Sequence, residues 1–190
     1  MNTNLAYQEY QETELIGGKL VAMSPRPSVN HSHTAFNIAR IFADYLKGRQ
    51  CTPFADGVDL YLTETDHYVP DVMVVCDPDK IKPDGVYGAP DLVVEVLSPS
   101  TARYDRGRKM EVYARCGVRE YWIVSPGDRT VEQYFQEDGR LVLHSAYGME
   151  LEAILNKMTQ EERDSIPTEF QCSLFDDLTI QVADIFDRVV

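Results

Sequence analysis

The run Pro90-Asp91-Leu92-Val93-Val94-Glu95-Val96-Leu97 sets the hardest condition on any fold this chain can adopt. Apolar residues fill both phases of the strand alternation, the pattern of a strand covered on both faces. Glu95 interrupts it. A carboxylate inside such a strand is strongly destabilising unless it is paired, hydrogen-bonded or bound to a metal. Ser98-Pro99-Ser100-Thr101 then stops the strand and opens a basic helix, predicted from about Thr101 to Cys116 and ended by Gly117. Arg103, Arg106, Arg108, Lys109 and Arg115 all fall within that helix. A central strand with one buried acid is thus followed directly by a helix rich in cations.

The remaining elements are read around that centre. A hairpin is predicted from Glu14 to Met23 with Gly17-Gly18 at its turn, since glycine accepts the positive φ that a two-residue turn needs. Residues 3 to 10 suggest a short helical turn before it. Ala35, Ile38, Ala39, Phe42, Ala43 and Leu46 recur at helical spacing and predict a helix from about Asn30 to Lys47, with Asn30 a candidate cap and Gly48 a stop. Strands are expected over Cys51 to Thr63, His67 to Val75 and Val118 to Val124, and a hairpin over Thr130 to Tyr147 about Asp138-Gly139. The Pro-, Gly- and Asp-rich stretch from Asp77 to Ala89 reads as a loop. Short helices are expected near Glu152 to Lys157 or Thr159 to Asp164 and at Ala183 to Val189, with a strand at Leu178 to Val182. This order predicts an α/β or α+β domain spanning residues 1 to 190, a mixed central sheet flanked by helices.

Charge and composition narrow the function. The net charge of −13 weighs against a general nucleic-acid binder, although a local basic patch or a bound cation can act inside a negative field. No apolar run is long enough to cross a bilayer, and the acidic, polar start does not resemble a signal peptide, so a cytoplasmic location is expected. Cys51, Cys76, Cys116 and Cys172 are scattered, without zinc spacing, and read as free thiols in a reducing compartment. There is no GxSxG elbow and no phosphate-cradling glycine loop. Ser98 and Ser100 read as strand-end and cap residues, and Trp122 as core.

Asp71 and Glu95 form the strongest chemical pair. Each lies on or at the end of an apolar strand, and two carboxylates brought together on neighbouring strands favour a hard cation between them. Mg²⁺ suits such a pair, because it takes one or two carboxylates together with waters and substrate phosphate. The alternative is that Asp71 ends a turn and Glu95 faces solvent on an edge strand.

Tyr68-Val69-Pro70-Asp71, the segment Pro90 to Thr101, Lys109, Tyr113, Gly117-Val118 and Glu120-Tyr121-Trp122 together resemble the Uma family, within the restriction-endonuclease-like PD-(D/E)xK class of nucleases. The resemblance also takes in Glu14-Leu15-Ile16 and His31. It implies a restriction-endonuclease-like sheet with flanking helices and an endonuclease that hydrolyses nucleic acid, DNA in the first instance, with Mg²⁺ or Mn²⁺. Asp71 and Glu95 match the two acids of the motif. The lysine expected two residues after the second acid is Leu97 here, so the resemblance implies that Lys109 takes its place from the following helix, where Arg106, Lys109 and Tyr113 are expected to share a face. Lys109 would orient or deprotonate the attacking water, or stabilise developing charge. Glu14 is a candidate further metal carboxylate, and His31 a candidate for phosphate binding or proton transfer. Asp105 is expected to help hold Lys109, and Asp91 to be a strand-start residue. The class leaves room for a homodimer. The missing lysine and the acidic surface also keep open a non-catalytic binding module on the same fold.

Overall fold

Glu95 does sit in a strand covered on both faces. The computed structural model describes residues 13–22, 26–55, 57–150 and 152–190; the turn expected over residues 3–10 lies outside them. The main sheet has the order β12-β11-β10-β9-β6-β3, built from Thr52–Ala55 (β3), Val72–Val75 (β6), Leu92–Val96 (β9), Glu120–Ser125 (β10), Thr130–Glu137 (β11) and Arg140–Gly148 (β12). β9 pairs parallel with β10 and antiparallel with β6, so the sheet is mixed, as expected.

Each face of the main sheet has its own cover. On one, Val72, Val74, Val94, Val96, Trp122 and Val124 pack against Ile38, Phe42 and Leu46 of α1 (Val29–Leu46) and against the C-terminal residues Phe170, Ile180 and Ile185. Trp122 is core, packed edge-on against Phe170. On the other face, Met73, Val75, Val93, Tyr121 and Ile123 meet Val112 and Tyr113 of a helix, and Ile16, Leu60, Tyr68 and Val86 of a second sheet. Alternation along each strand delivers those side chains to the interior.

The second sheet is where the fold departs from expectation. It runs β2-β1-β5-β4-β8-β7, from Thr13–Ile16 (β1), Lys19–Ala22 (β2), Leu60–Thr63 (β4), Asp66–Tyr68 (β5), Ile81–Lys82 (β7) and Gly85–Tyr87 (β8). The hairpin about Gly17-Gly18 forms, with φ of 60° and 76° at the two glycines. The expected strand from Cys51 to Thr63 is instead β3 and β4, and that from His67 to Val75 is β5 and β6; in each case the two halves belong to different sheets. Pro70 accounts for the second break, since proline donates no ladder hydrogen bond. The expected loop from Asp77 to Ala89 holds a short 3₁₀ turn, Pro78–Lys80, and the β7–β8 hairpin. Gly85 is needed there: at φ 151° an added Cβ would lie 2.6 Å from the Asp59 carbonyl oxygen.

Three further expectations are corrected. Ser28, not Asn30, caps α1, accepting from the His31 N–H at 3.2 Å. The helix from Thr101 to Cys116 is broken: Ala102–Tyr104 (α2) leads into a five-residue π-type turn, Asp105–Lys109, and then into Met110–Cys116 (α3), with Gly107 non-helical at φ −121°, ψ −108°. Cys51 and Cys76 are not free but form a disulfide between the paired ends of β3 and β6; Cys116 and Cys172 are free. Glu152–Leu155 (α4) and Gln160–Asp164 (α5) both form, the latter with a Thr159–Glu162 capping box, and Glu169–Gln171 (β13) pairs with Thr179–Gln181 (β14) before Val182–Ile185 (α6). Among the described residues no helix is long and apolar enough to cross a membrane. Denatured, unreduced protein is expected to titrate two thiols per chain with a thiol reagent; four would show that Cys51 and Cys76 do not pair.

Candidate active site

The β6–β9 register decides which acids meet. Val72, the first residue of β6, lies opposite Val94, so the ladder brings Asp71, just before it, to the stretch of β9 that carries Glu95 and Val96. Asp71 is held there by two contacts. Its Oδ2 accepts the Val96 N–H at 2.6 Å, and its Oδ1 lies 3.3 Å from His31 Nε2, on the first turn of α1. His31 therefore joins the site through Asp71.

Glu95 points to the face shared with the second sheet. Its Oε1 accepts from Tyr113 Oη at 2.7 Å and from Lys109 Nζ at 3.1 Å. Lys109 Nζ also lies 2.8 Å from Glu14 Oε1 and 3.5 Å from Asp105 Oδ1. Glu14 comes from β1 and accepts the Val69 N–H at 2.9 Å through the same oxygen. Lys109 is 2% exposed, Glu95 and Glu14 are nearly as buried, and Asp105 is buried with them. One ammonium thus ties the second sheet, the main sheet and the π-type turn together.

That turn is the local device behind the arrangement. Asp105 and Lys109, four residues apart, share the inward side, while the wider turn swings Arg106 away from Lys109, and π-type turns recur at functional sites. Arg106, expected on the Lys109 face, is turned outward to a two-pronged pair with Glu132 at 2.6 and 2.8 Å. Arg108 reaches Asp66 at 3.0 Å. Burial pushes the Asp66 carboxyl up, but Arg108, the Gly17 N–H and the Tyr68 and Thr65 hydroxyls outweigh it and hold the group well below the usual range. Asp91 is a strand-start residue: it accepts the Cys76 N–H at 2.8 Å and lies 3.5 Å from Arg119.

Burial pushes Glu95 well above the ordinary carboxylate range, against the opposing pull of Lys109, with Asp105, Asp71 and Glu14 adding to the rise. Asp105 is raised for the same first reason. For Lys109, burial pulls the pKa down, but Glu95, Glu14 and Asp105 together outweigh it and hold the ammonium well above its usual range. The side chain is therefore a cation at neutral pH. That charge fits the stabilisation of negative charge developing beside it.

Sequence reasoning missed two buried acids, Asp66 and Glu120. Glu120 accepts from Trp122 Nε1 and Gln133 Nε2, both at 2.6 Å, and from the Ser173 N–H at 2.8 Å. It sits on the opposite face from Glu95 and ties the segment after β13 to the sheet. The alternation across Glu120-Tyr121-Trp122 carried the signal, because it places Glu120 on the Trp122 face.

A sequence-family profile described as "Uma2: Putative restriction endonuclease" matches residues 4–171. The chain belongs to this family. Two Synechocystis relatives of the Uma2 chain are uncharacterized proteins: slr1290 is 34% identical over 133 residues, covering 69% of this chain and 70% of its own, and sll1609 is 29% identical over 131 residues, covering 67% and 73%. A crystal structure from Anabaena variabilis, described as a "putative nuclease belonging to DUF820", superposes with a TM-score of 0.70. It covers 94% of this chain and 91% of its own at 17% identity, so the likeness is one of fold.

Two substitutions separate the roles in the buried cluster. Lys109→Met leaves buried acids unpaired and is expected to lower stability by about 3–5 kcal/mol in urea unfolding at neutral pH. Glu95→Gln keeps an acceptor oxygen for Tyr113 and Lys109 and is expected to lower it by only about 1 kcal/mol. Because the folded pKa of Glu95 is raised, its contribution is present at low pH and lost as pH rises through that pKa. The balance between wild type and Glu95→Gln should therefore move toward the glutamine variant with rising pH; a shift the other way would reverse the assignment.

Proposed function

We propose that the protein is a divalent-metal-dependent nuclease that hydrolyses phosphodiester bonds, with DNA as its substrate. The reading is carried by one observation: at the end of the β6–β9 ladder Asp71 is pinned to the N–H of Val96, the residue next to Glu95, and the Lys109 ammonium lies 3.1 Å from Glu95. The donor chemistry fits Mg²⁺ or Mn²⁺. Among the described residues no three Asp, Glu, His or Cys side chains group to cage an ion, and Mg²⁺ characteristically takes one or two carboxylates and leaves its other positions to water and phosphate. Asp71 and Glu95 would hold it, with Glu14 adjoining.

When bound, such an ion supplies Lewis-acid polarisation of the phosphate and a more acidic water. The chain's own residues do the rest. The Val96 N–H and His31 fix the Asp71 carboxylate from opposite oxygens. Tyr113 and Lys109 fix Glu95 through Oε1, leaving its Oε2 outside those two bonds. Lys109 provides a pre-set positive charge beside the reacting phosphate, where a transition state gains negative charge.

The purified protein is expected to nick plasmid DNA with Mg²⁺ or Mn²⁺. Asp71→Asn and Glu95→Gln should lower the rate by at least about 100-fold while circular dichroism stays native. A wild-type protein inactive on DNA with either metal sinks the proposal. The depth of Lys109 and Glu95, and Leu97 at the lysine position, favour a second reading, a binding module on the nuclease fold. It expects no cleavage but retained nucleic-acid binding that the same substitutions leave unchanged.

A further inference from the structure

Asp105 belongs to the buried cluster, yet the proposed chemistry gives it no part. The residue is 1% exposed, and neither carboxylate oxygen has a hydrogen bond. Lys109 Nζ lies 3.5 Å from Oδ1, close enough for attraction but not hydrogen-bonded to it. Burial raises the Asp105 pKa; Lys109 and the Thr101 hydroxyl pull the other way without bonding either oxygen. A buried carboxylate left in that state is destabilising, and such groups in native proteins are ordinarily partnered. The backbone beneath it is fixed, because Tyr121 Oη of β10 donates to the Asp105 carbonyl at 3.0 Å.

The oxygens that Lys109 holds are provided for differently. Glu95 Oε1 also accepts from Tyr113 Oη at 2.7 Å, and Glu14 Oε1 from the Val69 N–H at 2.9 Å. An ammonium that shifts away leaves each of these oxygens with a donor, and gives Asp105 its first. The shift is short, because Asp105 precedes Lys109 by four residues on the same inward side. Lys109 therefore has two sets of acceptors within reach, one independently satisfied and one open.

A reason for the ammonium to move comes from the proposed metal site, on which this inference rests. A divalent cation on Glu95 draws on the same carboxylate charge as Lys109 and repels the ammonium. In a poorly solvated interior the displaced ammonium needs another anionic partner. We infer that Asp105 is that partner: as Glu95 passes to the cation, Lys109 closes onto Asp105 and remains charged beside the site. Asp105 is thus a positioning residue for Lys109, and it acts on metal binding through the ammonium rather than by ligating the ion.

The test is a thermodynamic cycle in Mn²⁺ affinity, measured by titration calorimetry on the full chain, with circular dichroism to show that each variant is folded. Asp105→Asn keeps the shape and removes the charge, and should weaken Mn²⁺ binding at least about tenfold. In the Lys109→Met background, where no ammonium needs a new partner, the same change should cost several-fold less. An equal or larger loss there makes Asp105 a ligand of the ion and overturns the inference. Because Lys109→Met is the less stable protein, a second readout needs no lysine variant: the nitrogen resonance of the Lys109 side chain. Mg²⁺ should shift it in wild type and shift it less in Asp105→Asn. A resonance that bound Mg²⁺ leaves unmoved, or moves equally in both proteins, also overturns the inference. Metal binding that Asp105→Asn leaves unchanged sinks this inference alone; a wild type that binds neither ion sinks the metal reading and this inference together.

Discussion

The Lys109 ammonium, held among Glu14, Glu95 and Asp105, is the interaction on which the rest of the structure depends. Each acid comes from a different element: Glu14 from β1, Glu95 from β9, Asp105 from the turn that also carries the lysine. The apolar cover shared by the two sheets and α3 could slide without large loss, since hydrophobic contact is not directional. A buried charge pair cannot, because displacement leaves unpaired charge in a poorly solvated interior. The cluster therefore fixes how the second sheet sits on the main one.

The same cluster links fold to chemistry. Excess carboxylates buried around one ammonium leave the site short of positive charge. Burial and like-charge repulsion raise Glu95, and the carboxylates keep Lys109 protonated. Membership in the Uma2 family and the nuclease-like fold of the Anabaena neighbour give this charge imbalance a functional setting. Under the proposed function, a divalent cation would relieve that shortage and carry the substrate phosphate with it. The net charge of the chain then matters less than the local balance, which is why −13 is compatible with a nucleic-acid substrate.

Much was legible in the residues. The apolar run about Glu95, the Gly17-Gly18 and Asp138-Gly139 turns and the periodicity of α1 are local signals, and each produced the element expected. Asp71 and Glu95 were legible as candidates because each stands out against an apolar strand. The errors share a cause. Gly57 and Pro70 are local signals of a break within the stretches 51–63 and 67–75, but which sheet each half joins, and hence the crossing between sheets, depends on partners far away in sequence. The Cys51–Cys76 disulfide follows from that crossing, because it needs β3 beside β6.

The sequence by itself determined that an acid would lie in a doubly covered strand, followed by a turn and a cation-rich helix, because strand alternation and turn chemistry act over a few residues. Only the tertiary structure decided which cation meets that acid. Uniform helical spacing puts Arg106 and Lys109 on one face; the π-type turn at Gly107 sends Arg106 to Glu132 and Lys109 inward. A break of one turn re-aims the side chains beyond it, and here it brings Lys109 to Glu14 of β1 and Glu95 of β9.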